Sequence, residues 1–258
     1  MRGWAAFAAA VAALLFPCLS QAHFGLIVPS RTMIMSQREA PITLDVAFAH
    51  PFSRQGMDME KPEKFFVRHD GGETDLTASL APAEFYGKRS WKCDYKVARP
   101  GVYLFGAVPR PYYEPAEDSF IIHYVKTAVA AFGGEDGWGE PLGLPVEIIP
   151  LARPFGNYPG DVFVGRVLHN GKPVPGATVE IECLNEKGER SAPNAYFETQ
   201  AVVADADGVF VAGIPWAGWW GFAALVESPE KMARDGEAKD VELGGVLWAY
   251  FTEPQFKK

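Results

Sequence analysis

The chain has 258 residues, of which 48% are hydrophobic and 22% are charged, and its formal net charge is −8. A chain of this length suits one large domain or two of ordinary size. The acidic balance and the lack of a Lys or Arg cluster argue against nucleic acid or an anionic lipid surface as a partner.

The first 22 residues have the pattern of a secretory signal peptide. One positive charge precedes an apolar run over residues 4–16, which is too short to cross a membrane because a spanning helix needs about 20 residues. Small residues at Ser20 and Ala22 then form a cleavage site. We therefore predict cleavage before His23, which leaves 236 of the 258 residues. The mature chain is expected to be periplasmic and not inserted in the membrane.

Period-two alternation of apolar residues recurs along the mature chain, whereas no sustained helical period is present. The clearest strand face consists of Ile42, Leu44, Val46, Phe48 and His50. Many short strands separated by Gly and Pro turns are typical of β-sandwiches. We therefore predict an all-β fold after the signal peptide.

A Gly-rich and acidic stretch over residues 133–141 cannot form regular structure and divides the mature chain. We place a domain boundary near residue 145. The prediction is two consecutive β-sandwich domains of immunoglobulin or transthyretin type, over residues 23–145 and 146–258. The first would contain the metal site discussed below.

The second half carries two short motifs that bear on its fold. G-K-P-V-P-G-A lies at residues 171–177 and D-A-D-G-V-F at residues 205–210. In this arrangement they resemble the small, seven-stranded transthyretin-like sandwich found as an accessory domain in carboxypeptidases and surface proteins. The resemblance concerns fold and implies no chemistry.

Strand alternation also predicts where the cysteine and tryptophan side chains lie. Cys93 and Cys183 fall on the apolar faces of two separate strands, so both are interpreted as small buried hydrophobes. A disulfide between them stays an alternative in an oxidising compartment. Trp216, Trp219 and Trp220 are too close together for one strand face. We expect some of them to fill the contact between the two domains, with an external docking patch as the alternative.

No sequence signature of an enzyme is present. Phosphate loops, nucleophile elbows, His-Glu-x-x-His and Cys-x-x-Cys motifs are all missing. Carboxylates are plentiful, but no spacing pairs two of them as acid and base. Asp205 and Asp207 lack the further ligands of a calcium loop and are interpreted as a hairpin turn. We predict a protein without enzymatic activity.

His23 would be the first residue of the mature chain. Its α-amine and its imidazole can then chelate one divalent ion, an arrangement called a histidine brace. The amine titrates at about 8 and the imidazole at about 6.5, so a metal displaces their protons readily at neutral pH. The alternative is an N-terminal residue that is simply frayed.

Two further histidines lie where they can join His23. His50 ends the apolar face of its strand and Pro51 stops the ladder after it, which predicts an imidazole at a sheet rim. His123 lies on a second strand, on the face opposite Phe120. Imidazole and amine donors suit nickel, cobalt, copper or zinc. We predict a metal site at His23, His50 and His123, against the alternative that each histidine only packs.

Five other residues can add to this site or orient it: Met57, Met59, Glu114, Glu117 and Asp118. Two thioethers would favour copper(I), although a methionine pair in a loop usually packs. The carboxylates can supply an oxygen ligand or orient an imidazole. More often such an acidic run is a solvated loop, and the sequence leaves both interpretations open.

Six segments, the first of which spans the predicted cleavage site, are long enough to be compared with known families: residues 22–25, 48–52, 111–126, 153–156, 217–225 and 246–251. Together they resemble a family of periplasmic components of cobalt/nickel transport systems, which work beside importers of the energy-coupling-factor or ABC type. The resemblance covers nearly the whole mature chain. It implies binding of nickel or cobalt in the periplasm and delivery of the ion to importer subunits in the inner membrane.

Two other functions remain open. By the Irving–Williams order, copper(II) binds the same nitrogen donors more tightly than nickel or cobalt. The chain can therefore be a copper-binding protein that uses the histidine brace, either as a carrier or as an oxidative enzyme. The other alternative is a structural or interaction module without metal, in which the histidines only pack.

Overall fold

The computed structural model describes residues 22–256, so only Ala22 of the predicted signal peptide lies among the described residues. These residues form strands joined by turns, with two short 3-10 helices at Thr77–Ser79 and Ala195–Phe197. The all-β fold predicted from the alternation is confirmed. In this part of the chain, no helix is long and apolar enough to cross a membrane.

The strands are numbered in chain order. The first eleven are β1 (Phe24–Pro29), β2 (Met33–Ile34), β3 (Pro41–His50), β4 (Gln55–Met57), β5 (Lys64–His69), β6 (Gly72–Asp75), β7 (Ala81–Phe85), β8 (Lys88–Lys96), β9 (Gly101–Val108), β10 (Tyr112–Glu114) and β11 (Ser119–Ala131). The others are β12 (Val146–Pro150), β13 (Val162–His169), β14 (Lys172–Pro173), β15 (Thr178–Cys183), β16 (Gln200–Val203), β17 (Val209–Gly213), β18 (Gly218–Glu227), β19 (Met232–Arg234), β20 (Glu237–Lys239) and β21 (Val241–Phe251).

Three larger sheets and one hairpin account for these strands. A five-stranded sheet has the order β1-β3-β8-β7, with β4 beside β3. A ten-stranded sheet has the order β16-β15-β18-β21-β11-β9-β5-β6, with β2 and β10 beside β11. A four-stranded sheet contains β12, β13, β14 and β17, and β19 pairs with β20. The ten-stranded sheet is the central layer against which the two smaller sheets pack.

The two largest hydrophobic cores of the described residues lie on either side of this central layer. The larger core joins the five-stranded sheet to the middle of the central sheet and contains Phe24 and Trp248. The second core joins the four-stranded sheet to β15, β18 and β21 and contains Phe222. Neighbouring side chains on a strand point to opposite faces. Trp219 of β18 therefore enters the first core and Trp220 enters the second, and both are buried.

The central sheet continues across the predicted domain boundary. Residues 132–145 form turns and irregular backbone, as their composition predicts, and β12 begins at Val146. On either side of this segment, β11 pairs in parallel with β21 over eight residues, from Phe120 with Val241 to Thr127 with Trp248. The division at residue 145 stays a prediction. What the structure adds is that strands from both halves belong to one sheet.

The cysteines and one predicted turn behave as the sequence analysis expects. Cys93 and Cys183 are both buried and free. The side chain of Asp205 accepts hydrogen bonds from the backbone N–H groups of Asp207 and Val209, each at 2.9 Å. This carboxylate stabilises the hairpin before β17, which confirms its interpretation as a turn residue.

Candidate metal centre

The antiparallel pairing of β1 with β3 places two of the predicted ligands side by side. Phe24 pairs with Ala49, so His23 lies opposite His50 at the end of β3. Their ring centroids are 4.6 Å apart. His23 is buried and His50 is half-buried, in agreement with a strand that Pro51 ends at the rim of the sheet.

Glu114 on β10 contacts Nε2 of the His23 imidazole. Nε2 of His23 lies 3.1 Å from Oε2 of Glu114, and both side chains are largely shielded from solvent. Because a carboxylate only accepts, the proton of a neutral His23 ring lies on Nε2, and the lone pair of Nδ1 is free. This is the arrangement of carboxylate–histidine–metal triads, in which the carboxylate sets the tautomer and orientation of the ligand.

The surroundings of His23 keep its imidazole neutral. Burial above all, and also the neighbouring His50 and His123, lower its pKa, while Glu114 acts in the opposite direction, and the pKa that results is about 4. The neutral ring is the form that binds a metal ion. At neutral pH, therefore, no proton has to leave this ring before it can act as a ligand.

His50 contacts the peptide group that precedes His23. Its Nδ1 lies 2.8 Å from the carbonyl oxygen of Ala22, and Ala22 is buried. That carbonyl is bonded directly to the backbone nitrogen of His23. In an uncleaved chain this nitrogen is an amide, which lacks the basic lone pair of an amine. The predicted cleavage would change both the chemistry of this nitrogen and the partner of His50.

His123 belongs to the same end of the sandwich but contacts different groups. It lies on β11 and is buried. Its Nδ1 accepts a hydrogen bond from the backbone N–H of Gly25 at 3.4 Å. The ring of Phe48 lies 5.6 Å from the ring of His123 and 5.9 Å from the ring of His23. The structure thus brings His23 and His50 into contact and links His123 to His23 through Phe48.

Glu242 on β21 is a member of the cluster that the sequence analysis did not identify. Its Oε1 lies 3.4 Å from Nε2 of His123. Burial acts to raise the pKa of Glu242, but the hydrogen bond from His123 and the nearby His23 outweigh it, and the pKa is lowered. A signal was available, because Glu242 is the one charged residue in the strand 241–251.

Gly244 makes room for the His123 ring. In the parallel pairing of β11 with β21, His123 is directly opposite Gly244. A Cβ atom built on Gly244 would lie 2.3 Å from Cδ2 of His123, closer than non-bonded atoms can approach. The imidazole therefore lies flat over a position that only glycine can fill.

The other candidate side chains have separate roles. Met57 and Met59 are buried members of the first core. Asp118 accepts a hydrogen bond from the Tyr113 hydroxyl at 2.6 Å and pairs with Lys239 at 2.9 Å. Glu117 is exposed. Glu114, in contrast to Asp118, lies against a histidine, His23.

Among residues 22–256, no group of three His, Cys, Asp or Glu side chains has the geometry to hold a metal ion. The arrangement instead offers two neighbouring imidazoles beside the backbone nitrogen of His23. An α-amine at that nitrogen is a donor outside those four side-chain types. The chemistry of the centre therefore depends on whether the chain begins at His23.

A comparison with protein families decides the classification of the chain. A family model described as a domain of unknown function (DUF4198) matches residues 20–228. The chain belongs to the DUF4198 family. The DUF4198 match includes His23, His50, Glu114 and His123 and ends before Glu242. A search of curated proteins finds no match for this DUF4198 protein.

Solved structures that resemble this DUF4198 protein are distant. The fibronectin(III)-like modules of CbhA from Clostridium thermocellum have 8% identity and a TM-score of 0.23, and the match covers 90% of this chain and 97% of that one. A Salmonella alpha-2-macroglobulin has 13% identity and a TM-score of 0.27, with coverage of 88% and 15%. The D00-D0 domain of intimin has 9% identity and a TM-score of 0.22, with coverage of 88% and 100%. At these TM-scores the similarities carry no argument about function.

Proposed function

We propose that this DUF4198 protein is a periplasmic, non-enzymatic metal-binding protein that delivers nickel or cobalt to importer subunits in the inner membrane. The observation that carries the metal-binding part is the contact between His23 and His50, with Glu114 against Nε2 of His23. The nickel or cobalt cargo and the importer rest on the sequence segments that resemble periplasmic transport components. His123 is proposed to complete the site.

The first step of the argument is the chelate at His23. If the chain begins at this residue, the α-amine and Nδ1 belong to the same residue and can bind one ion in a six-membered ring. Because Glu114 contacts Nε2, Nδ1 is the imidazole nitrogen that stays free. Nδ1 is also the nitrogen that a six-membered chelate with the α-amine requires. A ligand whose orientation is set before binding loses less conformational freedom when the metal arrives.

The second step concerns His50. Removal of Ala22 would take away the carbonyl that Nδ1 of His50 contacts and would leave the α-amine of His23 in its place. The two imidazoles and the amine would then surround one position at the sheet rim. Metal–nitrogen distances of about 2.0–2.1 Å are usual for imidazole ligands, and two rings with centroids 4.6 Å apart are compatible with a shared ion.

The donor set supports a borderline divalent ion. Imidazole and amine nitrogens suit nickel, cobalt, copper and zinc better than magnesium or calcium, which prefer oxygen. Glu242 beside His123 adds a carboxylate that can orient that imidazole. His123 would bind through a ring nitrogen that now contacts Gly25 or Glu242, so its entry into the site requires one of these contacts to be replaced.

Copper is the second candidate cargo, and the all-nitrogen character of the brace favours it. The Irving–Williams order places copper(II) above nickel and cobalt for such donors. Met57 and Met59, which would favour copper(I), are packed in the core. A copper function would therefore rest on the brace and the imidazoles. A module without metal is the remaining alternative, in which Glu114 and Glu242 only stabilise buried histidines.

Calorimetric titration of the mature protein tests the proposal. The sample begins at His23, as verified by mass spectrometry, and is titrated with Ni²⁺, Co²⁺, Cu²⁺ and Zn²⁺. The control variant keeps Ala22 as its first residue. We expect one Ni²⁺ or Co²⁺ per chain and an affinity at least about tenfold lower, or about 1.4 kcal/mol, in the control and in His50→Ala.

Each other outcome selects an alternative. Binding of Cu²⁺ with no binding of Ni²⁺ or Co²⁺ would establish the copper function. An absence of binding by all four ions would leave the module without metal. Delivery is measured separately, as Ni²⁺ uptake by cells that contain the importer with or without this protein. Equal uptake in the two strains would contradict the delivery role.

A further inference from the structure

A cavity of about 520 Å³ opens at the end of β1 that is distant from His23. Val28 and Pro29 line it, and Val28 pairs with Asp45 in the ladder between β1 and β3. Pockets that bind small molecules have volumes of about 300–1,000 Å³. Because β1 has six residues and a strand rises about 3.3 Å per residue, this cavity and the metal centre lie at opposite ends of the strand.

Two aromatic side chains form one wall of the cavity. Trp219 on β18 and Tyr250 on β21 are directly opposite one another in the ladder, with ring centroids 5.4 Å apart, and both line the cavity. Trp219 is 4% exposed, whereas Tyr250 is half-buried. Tryptophan and tyrosine combine a large apolar ring with one polar group. This wall can therefore pack against an apolar surface and form hydrogen bonds at the same time.

Two polar atoms on largely buried side chains face this space without a partner. Among residues 22–256, neither the indole N–H of Trp219 nor the hydroxyl of Thr32, a lining residue that is 6% exposed, takes part in a hydrogen bond. The buried polar atoms that lack both a partner and contact with solvent do not include these two, so both can be reached through the cavity. Because an unpaired buried donor is costly, these atoms indicate where a ligand would bind.

Two carboxylates line the same cavity: the half-buried Asp45 on β3 and Glu186, which follows β15. In the described part of the chain, neither has a hydrogen bond or an ion pair. Lys92 acts on Asp45 electrostatically but does not pair with it, and Lys187 and Arg190 act on Glu186 in the same way. Partial burial raises the pKa of both carboxyl groups, and Asp45 contributes to the rise at Glu186. Both carboxylates are therefore available as hydrogen-bond acceptors.

The combination of donors and acceptors selects a class of ligand. The Trp219 N–H only donates, whereas the carboxylates of Asp45 and Glu186 only accept. An organic cation carries donors and would leave the indole N–H unpaired, and an anion would be repelled by the two carboxylates. Hydroxyl groups both donate and accept. A sugar carries several of them beside a C–H face that can pack against an aromatic ring.

We propose that this cavity binds an uncharged carbohydrate of one or two sugar units. Its hydroxyl groups would donate to Asp45 and Glu186 and accept from the Trp219 N–H, with the Tyr250 ring against a C–H face and the Tyr250 hydroxyl within reach of the sugar. This role is separate from the proposed function, because none of the metal-site residues lines the cavity.

Titration of the ¹⁵N-labelled mature protein, followed by NMR, tests the ligand class. The probes are six sugars: D-glucose, D-galactose, D-mannose, N-acetyl-D-glucosamine, maltose and cellobiose. Spermidine and citrate are the cationic and anionic comparisons, at about 0.15 M salt to screen attraction to the acidic surface. We expect at least one sugar to bind saturably and to shift the indole N–H signal of Trp219, with spermidine and citrate at least about tenfold weaker.

Two results would overturn the carbohydrate assignment. One is the absence of saturable binding by all six sugars. The other is binding of spermidine or citrate that is as tight as that of the best sugar.

The double variant Tyr250→Phe/Glu186→Ala locates the binding. Neither the Tyr250 hydroxyl nor the Glu186 carboxylate has a hydrogen-bond partner among the described residues, so their removal is expected to leave the stability unchanged. Tyr158→Phe/Glu189→Ala is the matched control, at an exposed tyrosine and an exposed glutamate outside the cavity.

We expect the double variant to bind the best sugar at least about tenfold more weakly, since it loses one neutral and one charged hydrogen bond. The control should bind this sugar as the wild type does, and both variants should bind Ni²⁺ equally. Equal sugar affinity in the double variant and in the control would overturn the assignment to this cavity.

Discussion

Among single residues, Glu114 has the clearest chemical consequence. It lies outside the predicted set of three histidines, yet its contact with Nε2 of His23 determines which ring nitrogen is free. Replacing a carboxylate that orients a metal-binding histidine typically lowers metal affinity by about 10- to 100-fold. The contribution of Glu114 can be measured apart from that of the ligands because its carboxylate contacts the nitrogen that faces away from the proposed ion.

We expect Glu114→Gln to lower the metal affinity of the mature protein by about 10- to 100-fold, since the amide accepts a weaker hydrogen bond from Nε2. Calorimetric titration with the metal ion measures the affinity of the variant and of the wild type. Glu140→Gln is the matched control, because Glu140 is an exposed glutamate in the loop before β12. An equal affinity in Glu114→Gln and in the control would show that the contact does not support a metal ligand.

Glu182 on β15 is a buried carboxyl group whose pKa lies well above that of an ordinary glutamate. Burial raises its pKa from 4.5 to about 8. Its Oε2 accepts a hydrogen bond from the backbone N–H of Phe52 at 3.1 Å, and Oε1 contacts the hydroxyl of Thr199. Between pH 4.5 and about 8, the folded state therefore keeps a proton that the unfolded chain has released. Linkage then makes the free energy of unfolding fall as the pH rises through this window.

We expect the metal-free wild type to be less stable at pH 8.5 than at pH 4.5 by a few kcal/mol from this group, since each pKa unit is worth about 1.4 kcal/mol. The glutamine side chain of Glu182→Gln does not ionise. The decrease in the free energy of unfolding that comes from Glu182 is therefore absent in this variant. Urea unfolding followed by tryptophan fluorescence across the pH range measures it. Glu84→Gln, at an exposed glutamate, is the control and should show the same change of unfolding free energy with pH as the wild type. If Glu182→Gln also shows the wild-type change, the raised pKa of Glu182 is contradicted.

Among the structural elements, the pair formed by β11 and β21 determines the surroundings of His123. Parallel strands that are distant in the sequence place His123 opposite Gly244, and the absence of a side chain there gives the imidazole its position. The same strand end carries Glu242 against Nε2 of His123. One strand pairing thus provides a ligand candidate, its carboxylate partner and the space for both.

We expect Gly244→Ala to displace the His123 ring and to lower the free energy of unfolding by about 1–3 kcal/mol, the usual cost of overpacking. The imidazole signals of His123 in NMR spectra would shift, and metal affinity would fall. Gly213→Ala on β17 is the control, because a Cβ there meets nothing within 4 Å. Unchanged His123 signals in Gly244→Ala would mean that the ring does not occupy the space over Gly244.

For the whole molecule, the shared central sheet and a buried ion pair connect the two halves of the described chain. Nζ of Lys126 on β11 lies 2.6 Å from Oε1 of Glu147 on β12, and both side chains are buried. The backbone N–H groups of Leu142 and Gly143 also donate to this carboxylate. A buried charge that loses its partner costs about 3–5 kcal/mol, so neither half can separate from the other without a large penalty.

We therefore expect one cooperative unfolding transition for the mature protein. Differential scanning calorimetry, far-ultraviolet circular dichroism and tryptophan fluorescence should give the same midpoint within error, because Trp219 and Trp220 report on the two cores. Two separate calorimetric transitions would contradict this and would support independent domains on either side of residue 145.

The sequence determined the class of fold and much of the local structure because alternation, turns and breakers act over a few residues. The buried face of β3, the rim position of His50, the turn at Asp205 and the free buried cysteines all follow from such short-range rules. His23, His50 and His123 were candidates for the same reason, since strand ends and chain termini can be recognised locally. Glu114 was weighed, but its sequence neighbours Glu117 and Asp118 had an equal claim.

Only the tertiary structure decided which of these groups meet. The contact between His23 and His50 depends on the register of β1 with β3, and Glu242 reaches His123 through a parallel pairing of strands more than 110 residues apart in the sequence. No local pattern specifies such a register, because it is selected by how side chains from distant strands fill the same core. The sequence therefore supplied the donors, while the packing of the sheets determined their neighbours and their protonation.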